Sequence, residues 1–443
     1  MDKIKINPHT KNLNSKYQER FFSKISDKSS SPTKPFGVGV KIGINASFLR
    51  KPNTGIGQVT ANFLKKLAIS NSPCLPAGKQ FPIFKNKEVQ FVLYLEEDLP
   101  KGLGLPKNPA SPAGGFEKRI FLPPYKRDDL IRKIWWEKFL LPRRVRKDRC
   151  DVLISMYQCP TILSSGVKHI MLVHDIIPKI FPEYLNNSRK KLYQRLTEKA
   201  IQRADKIVAV SKRTEKDLIT QLGIKGEKIT VSYIDVDESY KKKITQKEIA
   251  RVLKKYKLKP GYIFAGGGME VRKNVEGVLR AYKVLKNGKI ISNLPKLAIY
   301  GKLLPELYPL AVDVEKLARE LNLTREVRFL GPIPQKDMPA LFAGAEMFVY
   351  PSRYEGFGMP VLEAMNMGIP VVTSKKASLP EVGWDGVLYC DPDDVHDIAM
   401  VMKNILTRKD LRETLSRKAC QRAKQFSWNK FVKKILNIIE GLI

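Results

Sequence analysis

The stretch Tyr354–Met365 constrains the fold more than any other, because two glycines precede a proline and a glutamate lies towards either end. Gly356 and Gly358 can adopt backbone angles that other residues avoid. The proline that follows suits the first turn of a helix, and the unpaired N–H groups of such a turn attract phosphate. Glu355 and Glu363 can accept hydrogen bonds from hydroxyl groups. The stretch therefore predicts a site for a diphosphate joined to sugar rings.

Two apolar segments flank this stretch and read as buried strands, Ala345–Tyr350 before it and Ile369–Thr373 after it. In open α/β sheets, ligands bind beyond the carboxyl ends of the strands. The alternative is an ordinary surface loop, since acidic residues are favoured near a helix start in any case. The flanking strands favour the ligand site.

A second glycine-rich turn lies near the start of the chain. The segment Lys41–Asn45 predicts a short buried strand, Asn53–Gly57 a loop, and Val59–Ile69 a helix. Gly55 and Gly57 lie in the loop. A strand, a glycine-rich turn and a helix are typical of dinucleotide-binding folds, but the full G-x-G-x-x-G pattern is absent, so this motif is weak by itself.

Two basic residues, Arg272 and Lys273, follow the apolar strand Tyr262–Gly266 and lead into a predicted helix. Cations at a helix start are disfavoured by the helix dipole unless an anion is bound there. The pair therefore predicts an anion site rather than a solvated surface. His174 ends another apolar strand, His169–Val173, where it would face the same edge of a sheet.

Several motifs together resemble the retaining glycosyltransferases of family 4 over the span from about Lys41 to Trp428. They are the two glutamates separated by seven residues after Phe348–Ser352, the segment Val173–Tyr184, and the run Arg272–Asn274. The resemblance implies an α/β protein with the GT-B fold, in which two Rossmann-like domains face each other across a cleft. The implied organisation is a disordered basic tail (1–40), an acceptor domain (41–233), a donor domain (234–425) and a final helix (426–443) that packs back on the acceptor domain.

The resemblance also assigns roles. Lys273, aided by Arg272, would hold the diphosphate and act in catalysis with His174 and Glu355, which would contact the donor sugar. Glu363 would bind the ribose. Backbone amides of Gly356, Phe357, Gly358 and Met359 would add to the diphosphate site, and Gly55 and Gly57 would approach the phosphates and the acceptor. The donor would be a nucleotide diphosphate sugar, the sugar would keep its anomeric configuration, and neither a metal nor another cofactor would be required.

Three positions depart from the family pattern. Gln58 stands where many members carry arginine, which leaves the acceptor contact open. Gly268 stands near the place of a second phosphate-binding cation. Ile234 opens a linker that in the family usually contains Asn-Gly.

The net charge of +36, from 80 basic and 44 acidic residues, calls for an anionic partner. Nucleic acid, an anionic membrane surface and an anionic substrate are the candidates. The basic residues are spread along the chain without the aromatic interleaving of known nucleic-acid modules, so no nucleic acid is expected as the partner.

One segment bears on the membrane. A helix is predicted over Asp128–Leu141, and a basic run ending at Arg149 follows it. Aromatic and basic residues together could lie on an anionic membrane. The alternative is that Ile131, Trp135 and Phe139 face the core while the basic residues are solvated.

The cysteines and histidines are scattered without metal-site spacing, which favours a reducing cytoplasm and no metal. The polar, basic start of the chain is not a secretory signal, and no apolar run reaches the length of a membrane span. The expected location is the cytoplasm, with peripheral contact to the inner face of the membrane.

Among the branches of the family, the Gly55–Gly57 loop and the segment Val173–Tyr184 look most like mannosyltransferases of surface-polysaccharide assembly. This predicts transfer of mannose from GDP-mannose to a glycan or lipid-linked acceptor. A non-catalytic sugar-nucleotide-binding protein on the same fold and a nucleic-acid-binding protein are the alternatives.

Overall fold

The computed structural model describes residues 39–70, 89–100, 103, 116–123, 129–288, 291–304 and 307–443. The predicted disordered tail lies outside the described residues up to position 38. The strands are β1 (Val40–Asn45), β2 (Val89–Leu95), β3 (Phe116–Ile120), β4 (Val152–Ser155), β5 (Lys168–Val173), β6 (Lys206–Ala209), β7 (Ile229–Val231), β8 (Tyr262–Gly266), β9 (Leu297–Tyr300), β10 (Val327–Gly331), β11 (Ala345–Tyr350), β12 (Val371–Ser374) and β13 (Leu388–Cys390).

The helices of the first half are α1 (Gly55–Ser70), α2 (Asp129–Trp135), α3 (Leu141–Lys147), α4 (Ile177–Ile180), α5 (Ser188–Arg203) and α6 (Lys212–Leu222). Those of the second half are α7 (Gln246–Lys255), α8 (Val275–Asn287), α9 (Val314–Glu320), α10 (Met338–Ala343), α11 (Met359–Asn366), α12 (Leu379–Gly383), α13 (Val395–Thr407), α14 (Lys409–Ala423) and α15 (Trp428–Glu440).

Two parallel sheets form the framework. The first has the strand order β3-β2-β1-β4-β5-β6-β7, and the second has the order β10-β9-β8-β11-β12-β13. Most strands are buried on both faces because helices cover both sides of each sheet. Strand order reverses between β1 and β4 in one sheet and between β8 and β11 in the other, which opens a crevice at each point. The expectation of two Rossmann-like domains is confirmed.

Strand β3 was not predicted from the sequence. Its sequence, Phe-Glu-Lys-Arg-Ile, carries three consecutive charged residues, and only Phe116 is buried. It forms the edge of the first sheet against β2. Charged side chains are common on edge strands, so hydrophobic patterning alone does not reveal such a strand.

Helix α1 begins at Gly55, four residues before the predicted start at Val59. The glycine-rich segment is therefore partly the first turn of the helix rather than a loop. A β-carbon at Gly57 would lie 2.1 Å from the carbonyl oxygen of Lys51. Glycine at this position lets the helix start close to the turn that precedes it.

The predicted helix from Asp128 is one helical rod, Asp129–Lys147, with a π-helical segment at Trp136–Leu140. The alternative in which Trp135 and Phe139 face the core is wrong, since they are 45% and 37% exposed. Trp136 is fully buried instead. It stacks on Phe121, with ring centroids 5.1 Å apart, and its indole N–H donates to the Phe121 carbonyl (2.9 Å). The π segment shifts the helical phase after this residue.

The segment that links the two sheets is buried and hydrogen-bonded to the last described helix. Ile234 and Val236 are buried, and the carbonyl of Val236 accepts a hydrogen bond from the Trp428 indole (2.8 Å). Helix α15 begins at Trp428 and packs on α1, where the rings of Phe63 and Phe431 meet edge to face at 6.0 Å. The last helix of the chain thus covers the first domain.

Candidate active site

A cleft of about 960 Å³ opens beyond the carboxyl ends of both sheets. Its walls contain residues that follow β1 and β5 on one side and residues that follow β8, β9, β10 and β11 on the other. Every residue predicted for the site except Gly57 lines it: Gly55, His174, Arg272, Lys273, Glu355, Gly356, Phe357, Gly358, Met359 and Glu363. Gly57 is buried behind the wall of the cleft.

Glu355 follows β11 and is fixed by three donors that converge on its Oε1 atom. The hydroxyls of Tyr350 and Ser352 donate at 2.6 and 3.0 Å, and Nη1 of Arg272 donates at 3.0 Å. Burial by itself would raise the pKa of Glu355, but the charges of Arg272 and Lys273 outweigh it and hold the pKa below its usual value. The carboxylate is ionised, and its Oε2 takes part in none of these three bonds.

Arg272 and Lys273 place two cations beside this carboxylate, in a short 3-10 turn before α8. Arg272 also pairs with Glu270 (2.6 Å), so its guanidinium is held between two acids. Nζ of Lys273 donates to the Gly267 carbonyl (2.6 Å). Burial lowers the pKa of Lys273, and the charge of Glu355 opposes that effect. An incoming diphosphate would find both cations already oriented.

The start of α11 lies beside these two cations in the cleft wall. Gly358 precedes the first helical residue with φ of +101°, a conformation that favours glycine. Gly356 lies against the carbonyl of His174, where a β-carbon would come within 2.0 Å of the oxygen. Pro360 has no N–H, and the N–H groups of Val361 and Leu362 donate to the Gly358 carbonyl (3.1 and 3.3 Å). An anion at this point would therefore meet the backbone N–H groups that precede Pro360, where the helix dipole also favours it.

His174 lies on the opposite wall and is buried. Its Nε2 atom lies 3.0 Å from the Met156 carbonyl, which fixes that nitrogen as the protonated one and leaves Nδ1 as an acceptor. Burial lowers the pKa of His174 to about 4, so the ring is neutral at pH 7. The neighbouring Asp175 accepts from the backbone N–H of Ile177 (3.0 Å) and orders the local turn.

Glu363 is the fifth residue of α11, past the first turn, and is 5% exposed. Its position is therefore not explained by ordinary helix-start preference. Burial raises the pKa of Glu363 to about 8, although hydrogen bonds from Tyr240 and Gln335 act in the opposite direction. Tyr240 and Gln335 were missed by sequence reasoning, because they are distant in sequence and belong to no recognised motif.

The departure at Gly268 has a structural basis. Gly266, Gly267 and Gly268 have φ values of +133°, +100° and +135°, which side chains rarely tolerate. A cation on this loop would be strained. Lys302, which follows β9, also lines the cleft and was missed by sequence reasoning. Its position just beyond the carboxyl end of a predicted strand could have identified it as a cleft residue.

Contacts between the two domains were also missed. The Ser211 hydroxyl caps α6 by accepting from the backbone N–H of Thr214 (3.0 Å). It also donates to the Gly356 carbonyl at 2.6 Å, across 145 residues of sequence. The carboxylate of Glu381 accepts from the backbone N–H groups of Lys212 (2.8 Å) and Arg213 (2.7 Å). The donor-side loop is therefore bonded to the start of an acceptor-side helix.

Comparisons with known proteins identify the family of the chain. The family described as "Glycosyl transferases group 1" matches residues 245–422, and "Glycosyltransferase Family 4" matches residues 104–239. The chain is 30% identical to O-antigen chain mannosyltransferase B of Escherichia coli, over 88% of this chain and 96% of that protein. The chain belongs to glycosyltransferase family 4. The chain is therefore a glycosyltransferase.

Two further similarities are more limited. The serotype-specific mannosyltransferase WbdA of Escherichia coli is 33% identical over 59% of this chain, which spans only 32% of WbdA. Sucrose-phosphate synthase from Thermosynechococcus elongatus has the same fold, with a TM-score of 0.68 over 91% of this chain and 99% of that one at 16% identity. The GT-B fold expected from the sequence is confirmed.

None of the helices that the structure describes is long and apolar enough to cross a membrane. In the same part of the chain, no three His, Cys, Asp or Glu side chains are grouped as they would be to hold a metal ion.

Proposed function

We propose that this glycosyltransferase moves mannose from GDP-mannose to a glycan or lipid-linked acceptor in cell-surface polysaccharide synthesis, with retention of configuration and without a metal. The observation that carries the proposal is the ionised Glu355 held by Arg272 beside the start of α11. The similarity to a full-length O-antigen mannosyltransferase supports mannose as the sugar.

Different residues of the site would contact different parts of the donor. Arg272, Lys273 and the backbone amides of Gly356 to Met359 would neutralise the diphosphate, whose charge grows as it leaves. Glu355 would accept hydrogen bonds from sugar hydroxyls through Oε2, and His174 would accept one through Nδ1. Glu363 would hold the ribose. Because these cations and amides supply positive charge at the phosphates, the chemistry does not call for a metal ion.

The reaction would proceed on one face of the sugar. The bond between the anomeric carbon and the phosphate oxygen breaks, and a bond to the acceptor oxygen forms on the same side. The acceptor hydroxyl gives its proton to the departing phosphate oxygen. Glu355 is tied by three donors on Oε1, which suits a hydroxyl-binding role better than attack on carbon. Holding donor and acceptor together then contributes most of the rate.

The test is release of nucleoside diphosphate from a panel of nucleotide sugars, with wild type beside Glu355→Gln. Glu248→Gln is the matched control, since Glu248 pairs only with Arg251 on an exposed helix face. GDP-mannose cleaved by wild type and control but not by Glu355→Gln supports the proposal. Cleavage of a different nucleotide sugar would show that mannose is the wrong sugar. If no nucleotide sugar binds, the assignment of this cleft as the active site is overturned.

Two product measurements test the finer points. NMR of the anomeric proton of the product, compared with that of the donor, distinguishes retention from inversion. Activity unchanged by EDTA supports metal independence, and activity lost to EDTA and restored by a divalent cation contradicts it.

A patch on the first domain supports an anionic membrane surface as the partner that delivers a lipid-linked acceptor. Trp135 and Phe139 are exposed side by side, with ring centroids 5.7 Å apart. Lys138 and Arg143 lie over the Phe139 ring at 5.3 and 5.9 Å. Aromatic rings at the headgroup level surrounded by basic side chains are typical of proteins that lie on anionic lipid.

The neighbouring helix α5 extends this patch. The Tyr193 hydroxyl donates to the buried Glu137 (3.0 Å), and Lys133 lies 4.7 Å from the Tyr193 ring centroid, so α2 and α5 are joined. Helix α5 exposes Leu192 (51%) and carries five basic residues in its first three turns and a half. These residues are Arg189, Lys190, Lys191, Arg195 and Lys199.

Co-sedimentation with vesicles tests the patch. Wild type is expected to bind vesicles that contain phosphatidylglycerol and not neutral vesicles. The double variant Trp135→Ala with Phe139→Ala should lose most of this binding. Trp384→Ala is the control, because Trp384 is more exposed than either ring but lies in the donor domain. Equal binding by the double variant and wild type would contradict the membrane surface.

A further inference from the structure

One hydrogen bond crosses the cleft between side chains that no family motif connects. Nε2 of Gln58, in the first turn of α1, donates to Oε1 of Gln335 at 3.1 Å. The two residues are 277 positions apart and belong to different domains. Gln335 begins a 3-10 turn that follows β10, and both side chains line the cleft.

The bond is the first in a chain of donors that ends at Glu363. Nε2 of Gln335 donates to the hydroxyl oxygen of Tyr240 at 2.7 Å, and Tyr240 is buried. Because the Tyr240 oxygen already accepts this hydrogen bond, the Tyr240 O–H is left to donate to the Glu363 carboxyl. Gln335 is also hydrogen-bonded to Glu363. Bonds aligned in one direction strengthen one another in a buried site.

Gln58 controls which end of the Gln335 amide faces Glu363. An amide has a carbonyl at one end and two N–H donors at the other. With the carbonyl held by Gln58, the N–H groups of Gln335 point to Tyr240 and Glu363. Without Gln58, the Gln335 amide is free to rotate by 180°. Its carbonyl oxygen would then face the Glu363 carboxylate, and the two negative groups would repel each other.

A second observation points to a ligand. Oε1 of Gln58 is buried and has no hydrogen-bond partner among the described residues, although the residue lines the cleft. A buried acceptor without a donor is unfavourable, and a donor group on a bound molecule would satisfy it.

We propose that Gln58 is a positioning residue for the nucleoside half of the donor, which orients Gln335 and Tyr240 so that Glu363 presents its carboxylate to the ribose hydroxyls. The ribose site is then complete only when the two domains are closed. This inference rests on the proposed function, because it takes Glu363 as the ribose-binding residue.

The test compares Gln58→Met, which keeps the size of the side chain and removes its donor, with wild type. Calorimetry measures the Kd of GDP and of 2′,3′-dideoxy-GDP. For GDP the variant should bind about fivefold to tenfold more weakly, whereas for the dideoxy nucleotide the two proteins should agree within about twofold. Gln202→Met, on the exposed surface of α5, is the control and should bind both nucleotides as wild type does.

Two further readouts separate positioning from a general structural role. In turnover of the cleaved donor, Gln58→Met should raise KM and leave kcat within about twofold, since the lost contact concerns the ribose. Gln335→Met should show the same ribose-dependent loss, and the double variant should be no weaker than either single one.

An equal loss for both nucleotides, or no loss for either, would overturn the role of Gln58. If wild type binds neither GDP nor UDP, the proposed function fails and this inference fails with it. The two failures are distinguishable, because the second is seen in wild type alone.

Discussion

Gly356 packs directly against the carbonyl of His174, and a β-carbon at Gly356 would lie 2.0 Å from that oxygen. The donor-binding loop and the histidine of the opposite wall therefore meet through backbone atoms. Any side chain at this position would hold the two domains apart.

Gly356→Ala is therefore expected to lower kcat/KM by about 100-fold, since a displacement of about 1 Å at a reacting centre can cost that much. Small-angle scattering should show a larger radius of gyration. Gly226→Ala is the control, because its β-carbon would meet only the tip of Ile219 at 3.9 Å. Wild-type activity in Gly356→Ala would contradict the tight approach.

The raised pKa of Glu363 predicts a pH-dependent affinity. Without ligand, Glu363 is protonated below a pKa of about 8, whereas ribose hydroxyls are best accepted by the carboxylate. Binding then releases a proton. The affinity for the nucleotide should rise from pH 6 to about pH 8 and level off above it, and this rise should be absent in Glu363→Gln. A flat profile in wild type would contradict the prediction.

The same group predicts an effect on stability. The pKa of Glu363 in the folded protein, about 8, lies above its ordinary value of 4.5. The folded state therefore binds more protons than the unfolded state between these pH values, and stability falls as pH rises through this window. Glu363→Gln should melt at least roughly 2 °C higher than wild type at pH 9, and much closer to it at pH 5.

Arg272 is expected to resist even conservative replacement. Its guanidinium bonds to Glu355, Glu270 and the Tyr354 carbonyl at once, at 3.0, 2.6 and 3.0 Å. The compact ammonium group of lysine does not reproduce this planar fork. Arg272→Lys should lower kcat/KM by about 10- to 100-fold. Arg280→Lys, which alters an exposed pair within one helix, should leave turnover unchanged.

The contact of Glu381 with the start of α6 is expected to stabilise the closed arrangement. Its carboxylate accepts from two backbone N–H groups and from the Tyr233 hydroxyl (3.2 Å). Glu381→Ala should reduce the free energy of unfolding by about 1–2 kcal/mol and raise the donor KM. Glu413→Ala, which removes only an exposed pair with Lys409, is the control for chemical denaturation.

Sequence patterns predicted the residues that meet in the cleft better than they predicted the residues that hold them in position. Glu355, Lys273 and His174 follow buried strands, and strand ends share one edge of a parallel sheet, so local patterns were sufficient to bring them together. Gln335 and Tyr240 could not be predicted, because their roles depend on contacts between segments far apart in sequence.

The buried face of the helix at Asp129–Lys147 was predicted wrongly for a different reason. The prediction continued a regular helical repeat from Ile131 to Phe139. The π segment breaks that repeat, and the choice between Trp135 and Trp136 for the core was made by packing against Phe121. Hydrophobic periodicity assumes a constant number of residues per turn, so it cannot detect a local change in that number.

The return of helix α15 to the first domain has a consequence for synthesis. Phe63 is buried against Phe431, near the opposite end of the chain. On the ribosome, the first domain is therefore translated long before the helix that covers it. Its apolar face on α1 stays uncovered until Phe431 has left the ribosome, so the first domain is completed only after the second has been translated.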